Sequence, residues 1–174
     1  MMLAVTGMGI AVAVLMLFAA GVCPWAPVSA VCLFIASLMT WAPLREDRGY
    51  IFALIEYVLA SGISLLISRQ SVYTYLYIAL FGHYAVVRFF LLSNLKGRFL
   101  TVLIRLLFLN LMAAAGIAFA EYVLGIELEA MLPRVSVFIL IGVLEGVFIV
   151  FMLLYKLFSA IFDSVLTNHL IPRR

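Results

Sequence analysis

The sequence predicts an all-α polytopic membrane protein, a bundle of six transmembrane helices forming a single domain over residues 1–174. Three observations lead there. Of the 174 residues 68% are hydrophobic and 11% charged, with a mean hydropathy of +1.28, which leaves too few polar side chains to coat a soluble core. Apolar runs long enough to cross a bilayer, roughly 20 residues each, recur along the chain. These runs lack the strict alternation of barrel strands, and backbone groups in lipid must be satisfied within the segment, so helices are expected.

The six segments cover about 3–22, 27–44, 51–68, 74–93, 99–123 and 135–161. The first has no basic residue before its apolar run and is followed by further crossings, so it is expected to be a retained helix rather than a secretion signal. The run LFAAGVC approximates a lipoprotein cleavage box, but Val22 stands where a small residue should precede Cys23, so lipidation is not expected. CPWAP separates the first and second segments, REDRGY the second and third, RQSVY the third and fourth, NLKGR the fourth and fifth, and GIELEAMLPR the fifth and sixth. None of these connections can hold a soluble domain. Cys23 and Cys32 have no second pair and no histidine at ligand spacing, so they read as packing residues, and neither a metal nor another cofactor is expected.

An even number of crossings places both termini on one side. That side carries Arg45, Arg48, Arg88, Lys96, Arg98, Arg105, Lys156, Arg173 and Arg174, nine cations, against Arg69 and Arg134, two, on the other. The excess of Lys and Arg marks the cytoplasmic face. The expected location is therefore the cell membrane, with both ends cytoplasmic, and the net charge of +3 needs no nucleic acid to explain it. Trp25, Tyr73, Tyr75, Tyr77 and Tyr122 are expected near the outer surface, with Trp41, Tyr50 and Tyr155 near the inner one, where amphipathic rings are favoured.

Ionisable groups within the segments are costly in hydrocarbon and should face the bundle interior. Glu56, Arg88, Arg105 and Lys156 fall in the cytoplasmic third, where one carboxylate among three cations suggests a bridging, structural polar layer. Gating or contact with a cytoplasmic partner is the other reading of that layer. Tyr77, Tyr84 and Arg88 share one helical face, which is expected to point inward. His83, Asn110 and Glu145 fall near mid-membrane and Glu121 near the outer end of the fifth segment. Asn110, Ala114 and Glu121 line one face of that segment, and Phe138, Gly142, Glu145, Ile149 and Lys156 line one face of the sixth. Gly142 and Gly146 would let a helix or ligand approach the backbone beside Glu145. His83, Asn110, Glu121 and Glu145 thus form either a hydrogen-bonded structural cluster or a substrate-binding pocket open to the outside. Gly7 and Ala11, Gly9 and Ala13, Ala114 and Ala118, and Gly116 and Ala120 repeat the small-xxx-small spacing that allows close helix approach.

The chain contains no P-loop, HExxH or GxSxG motif, and no regular arginine ladder of a voltage sensor. No inverted repeat of three helices is visible. Enzymatic activity is not expected.

The six helices, cytoplasmic ends and small residues on the first helix resemble the substrate-binding S components of energy-coupling factor transporters. That resemblance implies an outward-opening pocket for a vitamin-like small molecule. It also implies docking of the first helix, through Gly7, Gly9, Ala11 and Ala13, on a membrane coupling subunit with associated ATPases. These four depart from the family's usual alanine pair. A narrower resemblance is to bacterial six-helix proteins with an FGYYP-like stretch before a basic residue. Phe81, Gly82, Tyr84 and Arg88 match it, while His83 and Ala85 replace its tyrosine and proline. The missing proline argues against a helix break there. The leading expectation is a substrate-capture subunit energised by partners, and the alternative is a scaffolding protein of a cell-envelope assembly.

Overall fold

The computed structural model describes residues 2–45, 49–68, 71–94, 97–122 and 137–169, all built from helices and their connecting turns. Arg48, Arg69, Lys96, Arg134, Arg173 and Arg174 lie outside the described residues, as do the side chains of Arg45, Arg98 and Glu121. Among the described residues seven α-helices follow one another: α1 (Met2–Val22), α2 (Ala26–Met39), α3 (Gly49–Ile67), α4 (Val72–Leu76), α5 (Tyr84–Asn94), α6 (Arg98–Tyr122) and α7 (Val137–His169). The chain groups into two compact units, Met1–Gly116 and Ile117–Arg174, with the boundary inside α6.

Five helical stretches among the described residues are long and apolar enough to cross a bilayer: Met2–Val22, Gly49–Ile67, Val72–Leu91, Phe99–Ala118 and Gly142–Ile161. The protein is therefore a membrane-embedded helical bundle. The second expected crossing, 27–44, is not one continuous helix. α2 starts with Trp25 as its N-cap and proline in its first turn, then stops at Met39. Its 14 residues rise about 21 Å, short of the roughly 30 Å hydrocarbon layer. The stop has a local cause: the Thr40 hydroxyl donates back to the Ser37 carbonyl at 2.8 Å, and Pro43 removes a backbone donor soon after. A short 3₁₀ turn, Pro43–Arg45, continues the chain. Gly49 then opens α3 against the Pro43 carbonyl, so close that any Cβ would collide with that backbone.

The first unit inverts the packing of a soluble protein. α1 buries Thr6, Gly9, Ala13, Leu17 and Ala20, a stripe at helical spacing that packs along α2 and α3. α3 answers with Gly49, Ala53, Glu56, Ala60, Ser61 and Ser64. Apart from Leu17, both buried faces are small or polar. The large aliphatic side chains, among them Leu3, Leu15, Leu54, Val58, Leu66, Leu107 and Leu111, point outward. Lipid tails are as apolar as leucine, so helices in a bilayer associate through small residues that let backbones close up and through polar groups that need partners.

The fourth expected segment, 74–93, is the most enclosed crossing: half of its window is buried, against 17–22% for the other four. It is also irregular. α4 ends after five residues and Tyr77–Phe81 form a turn of π-helix, closed by the Gly82 N–H donating to the Tyr77 carbonyl at 2.7 Å. Gly82 and His83 form a turn before α5 resumes the α-helix at Tyr84. The helical stretch thus continues without a break but carries a widened turn, and glycine explains how that turn is accommodated. A Cβ at Gly82 would stand 2.7–2.8 Å from ring atoms of Tyr57 and Tyr77, so only glycine admits both rings against the turn.

In the second unit α7 buries Phe148, Phe151, Tyr155 and Ser159, one face at spacings of three and four residues. The face expected to turn inward, through Gly142, Glu145, Ile149 and Lys156, is rotated away from this stripe. Gly142, Ile149 and Lys156 are exposed and Glu145 is half-buried. Three bulky rings provide more packing surface than a face interrupted by glycine, and the long Lys156 stem can carry its charge to the membrane surface.

Candidate functional site: a polar cluster at a widened helix turn

Widening the turn at Tyr77–Phe81 changes where the backbone's hydrogen bonds go. In an α-helix the Gly82 N–H would be donated to the Ile78 carbonyl, but here Tyr77 takes it. Tyr57 from α3 replaces that donor, its hydroxyl reaching the Ile78 oxygen at 2.7 Å. The end of α2 meets the same turn from another side, the Thr40 hydroxyl lying 3.3 Å from the Gly82 carbonyl. Thr40, Pro43 and Leu44 are buried. Two irregular stretches of backbone, one ending α2 and one interrupting the fourth segment, therefore touch inside the first unit. Irregular backbone at membrane depth is tolerated where protein buries it or where it lines a polar cavity, and broken helices form ligand and ion sites in many transporters.

Polar side chains on α1, α3, α4 and the widened turn are enclosed in the first unit. The buried oxygens of Thr6, Glu56, Ser64, Thr74 and Tyr77 have no hydrogen-bond partner among the described residues. Ser61 is also buried, close to the Tyr57 hydroxyl. Glu56 and Tyr77 are fully buried and Thr6 is 4% exposed, so bulk water reaches none of them freely. Gly9 makes room for the carboxylate, since a Cβ there would overlap the Glu56 oxygens. The Tyr77 hydroxyl lies within electrostatic reach of Glu56. Tyr57 and Tyr77 stand with ring centroids 6.0 Å apart. Buried polar groups are nearly always hydrogen-bonded in folded proteins, so these oxygens call for partners that the described residues do not supply.

His83, at the end of the widened turn, belongs to this cluster. It is almost completely buried, with its ring edge-on to Tyr57 at 5.7 Å and to Phe108 of α6 at 5.2 Å. It approaches the same Ile78 carbonyl that Tyr57 engages, yet neither ring nitrogen makes a hydrogen bond of good geometry. Asn110 is turned to its own helix, its amide donating to the Leu106 carbonyl at 3.0 Å. The buried stripe of α6 runs through Thr101, Leu109 and Ala113, whereas Ala114, expected on the polar face with Asn110, is exposed. Glu145 is half-buried on α7 in the second unit. A Cβ added at Gly142 or Gly146 would meet no atom within 4 Å among the described residues, so neither marks a close approach there.

Among the described residues of the first unit Glu56 is not bridged to Arg88 or Arg105 as expected. Glu56 is fully buried, and neither carboxylate oxygen has a hydrogen-bond partner among the described residues. Arg88 instead lies over the Trp41 ring, 4.9 Å from its centroid, just beyond the C-terminal end of α2, where a cation also complements the helix dipole. The Arg105 guanidinium bonds Tyr84. Lys156 is exposed on α7. Tyr77, Tyr84 and Arg88 share a buried face as their spacing requires. Tyr77 and Tyr155 are fully buried.

The four small residues expected to dock on a partner separate onto two faces of α1. Gly9 and Ala13 are buried against α3, while Gly7 and Ala11 are exposed. No group of three or more His, Cys, Asp or Glu side chains able to hold a metal occurs among the described residues.

Sequence patterns alone bring His83 to the site, but they assign Glu56 to a structural layer and do not single out Tyr57 or Thr6. A signal for Glu56 is present, since Gly9 and Glu56 occupy corresponding depths in two segments running in the same direction. Comparison with family models, with curated proteins and with solved structures finds no match to this chain.

Proposed function

We propose that this protein is a small-molecule capture subunit of a membrane transporter, taking up a vitamin-like compound and depending on partner subunits with ATPases for energy. Its place would be the cell membrane, with both termini cytoplasmic. One observation carries the reading: the buried oxygens of Thr6, Glu56 and Tyr77 have no partner among the described residues, Glu56 lies against Gly9 and in reach of Tyr77, and His83 ends the widened turn that Tyr77 begins. A scaffold needs helices joined firmly, and apolar or fully bonded contacts would do that at lower energetic cost. A capture protein needs polar groups held apart from one another until the ligand satisfies them. The exposed Gly7 and Ala11 on α1 supply a flat, small-residue face suited to a coupling subunit.

The test is native mass spectrometry of the protein purified in detergent without added ligand. A specific retained mass is expected, lost in a folded His83→Phe variant that keeps the ring packing and removes both nitrogens. A protein with no bound mass, unable to take up small molecules from a membrane extract, would refute capture and favour scaffolding.

A further inference from the structure

Resting on the capture reading, we infer that the molecule held beside Glu56 carries a protonated amine, which donates to the Glu56 carboxylate and to the hydroxyls of Thr6 and Tyr77. The chemistry of the donor set points there. Thr6 comes from α1, Glu56 from α3 and Tyr77 from the widened turn, so the three oxygens approach from separate elements. Thr6 lies one helical turn from Gly9, whose backbone faces the carboxylate, and Tyr77 reaches Glu56 electrostatically. All three are at least nine-tenths buried, and none has a hydrogen-bond partner among the described residues.

Charge narrows the class further. An ionised carboxylate can only accept hydrogen bonds and, once out of water, requires a compensating positive charge. The nearby cations are placed elsewhere, Arg88 over Trp41 and Arg105 on Tyr84. Among the described residues no cation is left for Glu56, so an ammonium ligand would be what allows the buried carboxyl to ionise. A primary ammonium has three N–H donors, one for each of the three acceptor groups. A quaternary ammonium has the charge but no donor, and would leave these oxygens unsatisfied. The faces of Tyr57 and Tyr77 beside the site are also favourable to a cation.

The experiment measures thermal unfolding of the full-length protein in detergent with methylammonium chloride, tetramethylammonium chloride or sodium chloride at equal ionic strength. Methylammonium is expected to raise Tm above the sodium baseline and tetramethylammonium to leave it there. Glu56→Gln, which keeps the shape and removes the charge, is expected to weaken the methylammonium effect by at least about tenfold in concentration. Tyr77→Phe is expected to weaken it less, and supplies the test if Glu56→Gln does not fold. Equal responses to the two ammonium ions, or an undiminished response in both variants, would overturn the amine assignment. A retained native mass without a basic nitrogen would also overturn it, while leaving capture intact. No retained mass together with no methylammonium response would overturn both.

Discussion

Gly82→Ala tests whether the widened turn is locked by the two tyrosine rings. An alanine Cβ at this position would stand 2.7 and 2.8 Å from Tyr57 Cδ2 and Cε2, and 2.8 Å from Tyr77 Cε1. Carbon atoms pack best at about 3.5–4.0 Å, so the methyl is nearly an ångström too close on two sides. Neither ring is free to retreat, because Tyr57 is tied to the Ile78 carbonyl and Tyr77 is fully enclosed. Overpacking of this kind costs about 1–3 kcal/mol. The backbone itself offers no objection, since φ −66 and ψ −38 are right-handed helical, and alanine gains up to about 1 kcal/mol over glycine in a helix. Gly62→Ala in α3 isolates that gain, as no atom lies within 4 Å of its added Cβ. Gly82→Ala should therefore be less stable than Gly62→Ala by about 1–3 kcal/mol, roughly a 5- to 150-fold difference in the folding equilibrium. Denaturing-detergent titration in mixed micelles, followed by circular dichroism, measures both. Equal stability of the two variants would refute the ring lock.

Three further outcomes rest on separate contacts. Tyr57→Phe removes the donor from a buried Ile78 carbonyl and should cost about 1–3 kcal/mol in the same titration, with a smaller loss showing that the turn satisfies itself. Trp41→Leu takes the aromatic face from beneath the buried Arg88 and should cost about 2 kcal/mol beyond the lost packing, read against a Trp41→Leu, Arg88→Leu double-mutant cycle. Gly7→Leu should leave the unfolding curve of the isolated protein unchanged, since no atom lies within 4 Å of its added Cβ. Gly9→Leu should abolish folding by driving into Glu56. If Gly7→Leu also prevents recovery of a co-purifying membrane subunit, the exposed face of α1 is its docking surface.

Membrane embedding and helical structure followed from composition and run length, because a bilayer imposes both on any chain this apolar. The ends of α1 and α3 fell within two residues of their expected positions for the same reason. Which side of each helix turns inward was far less legible. Lipid and core are equally apolar, so hydrophobic periodicity gives little contrast, and the inward face is chosen by small residues, ring packing and polar contacts between segments distant in sequence. α7 shows the consequence: its aromatic stripe is enclosed while the face carrying Ile149 and Lys156 is exposed.

The composition thus determined the solvent, the secondary structure and the presence of costly polar groups within the segments. Tertiary structure alone decided that Gly82 sits against the rings of Tyr57 and Tyr77 at the widened turn, and that Glu56 meets Gly9 and Tyr77 instead of the arginines. Both outcomes depend on contacts between elements distant in sequence, and local spacing along one helix carries no record of what stands opposite it.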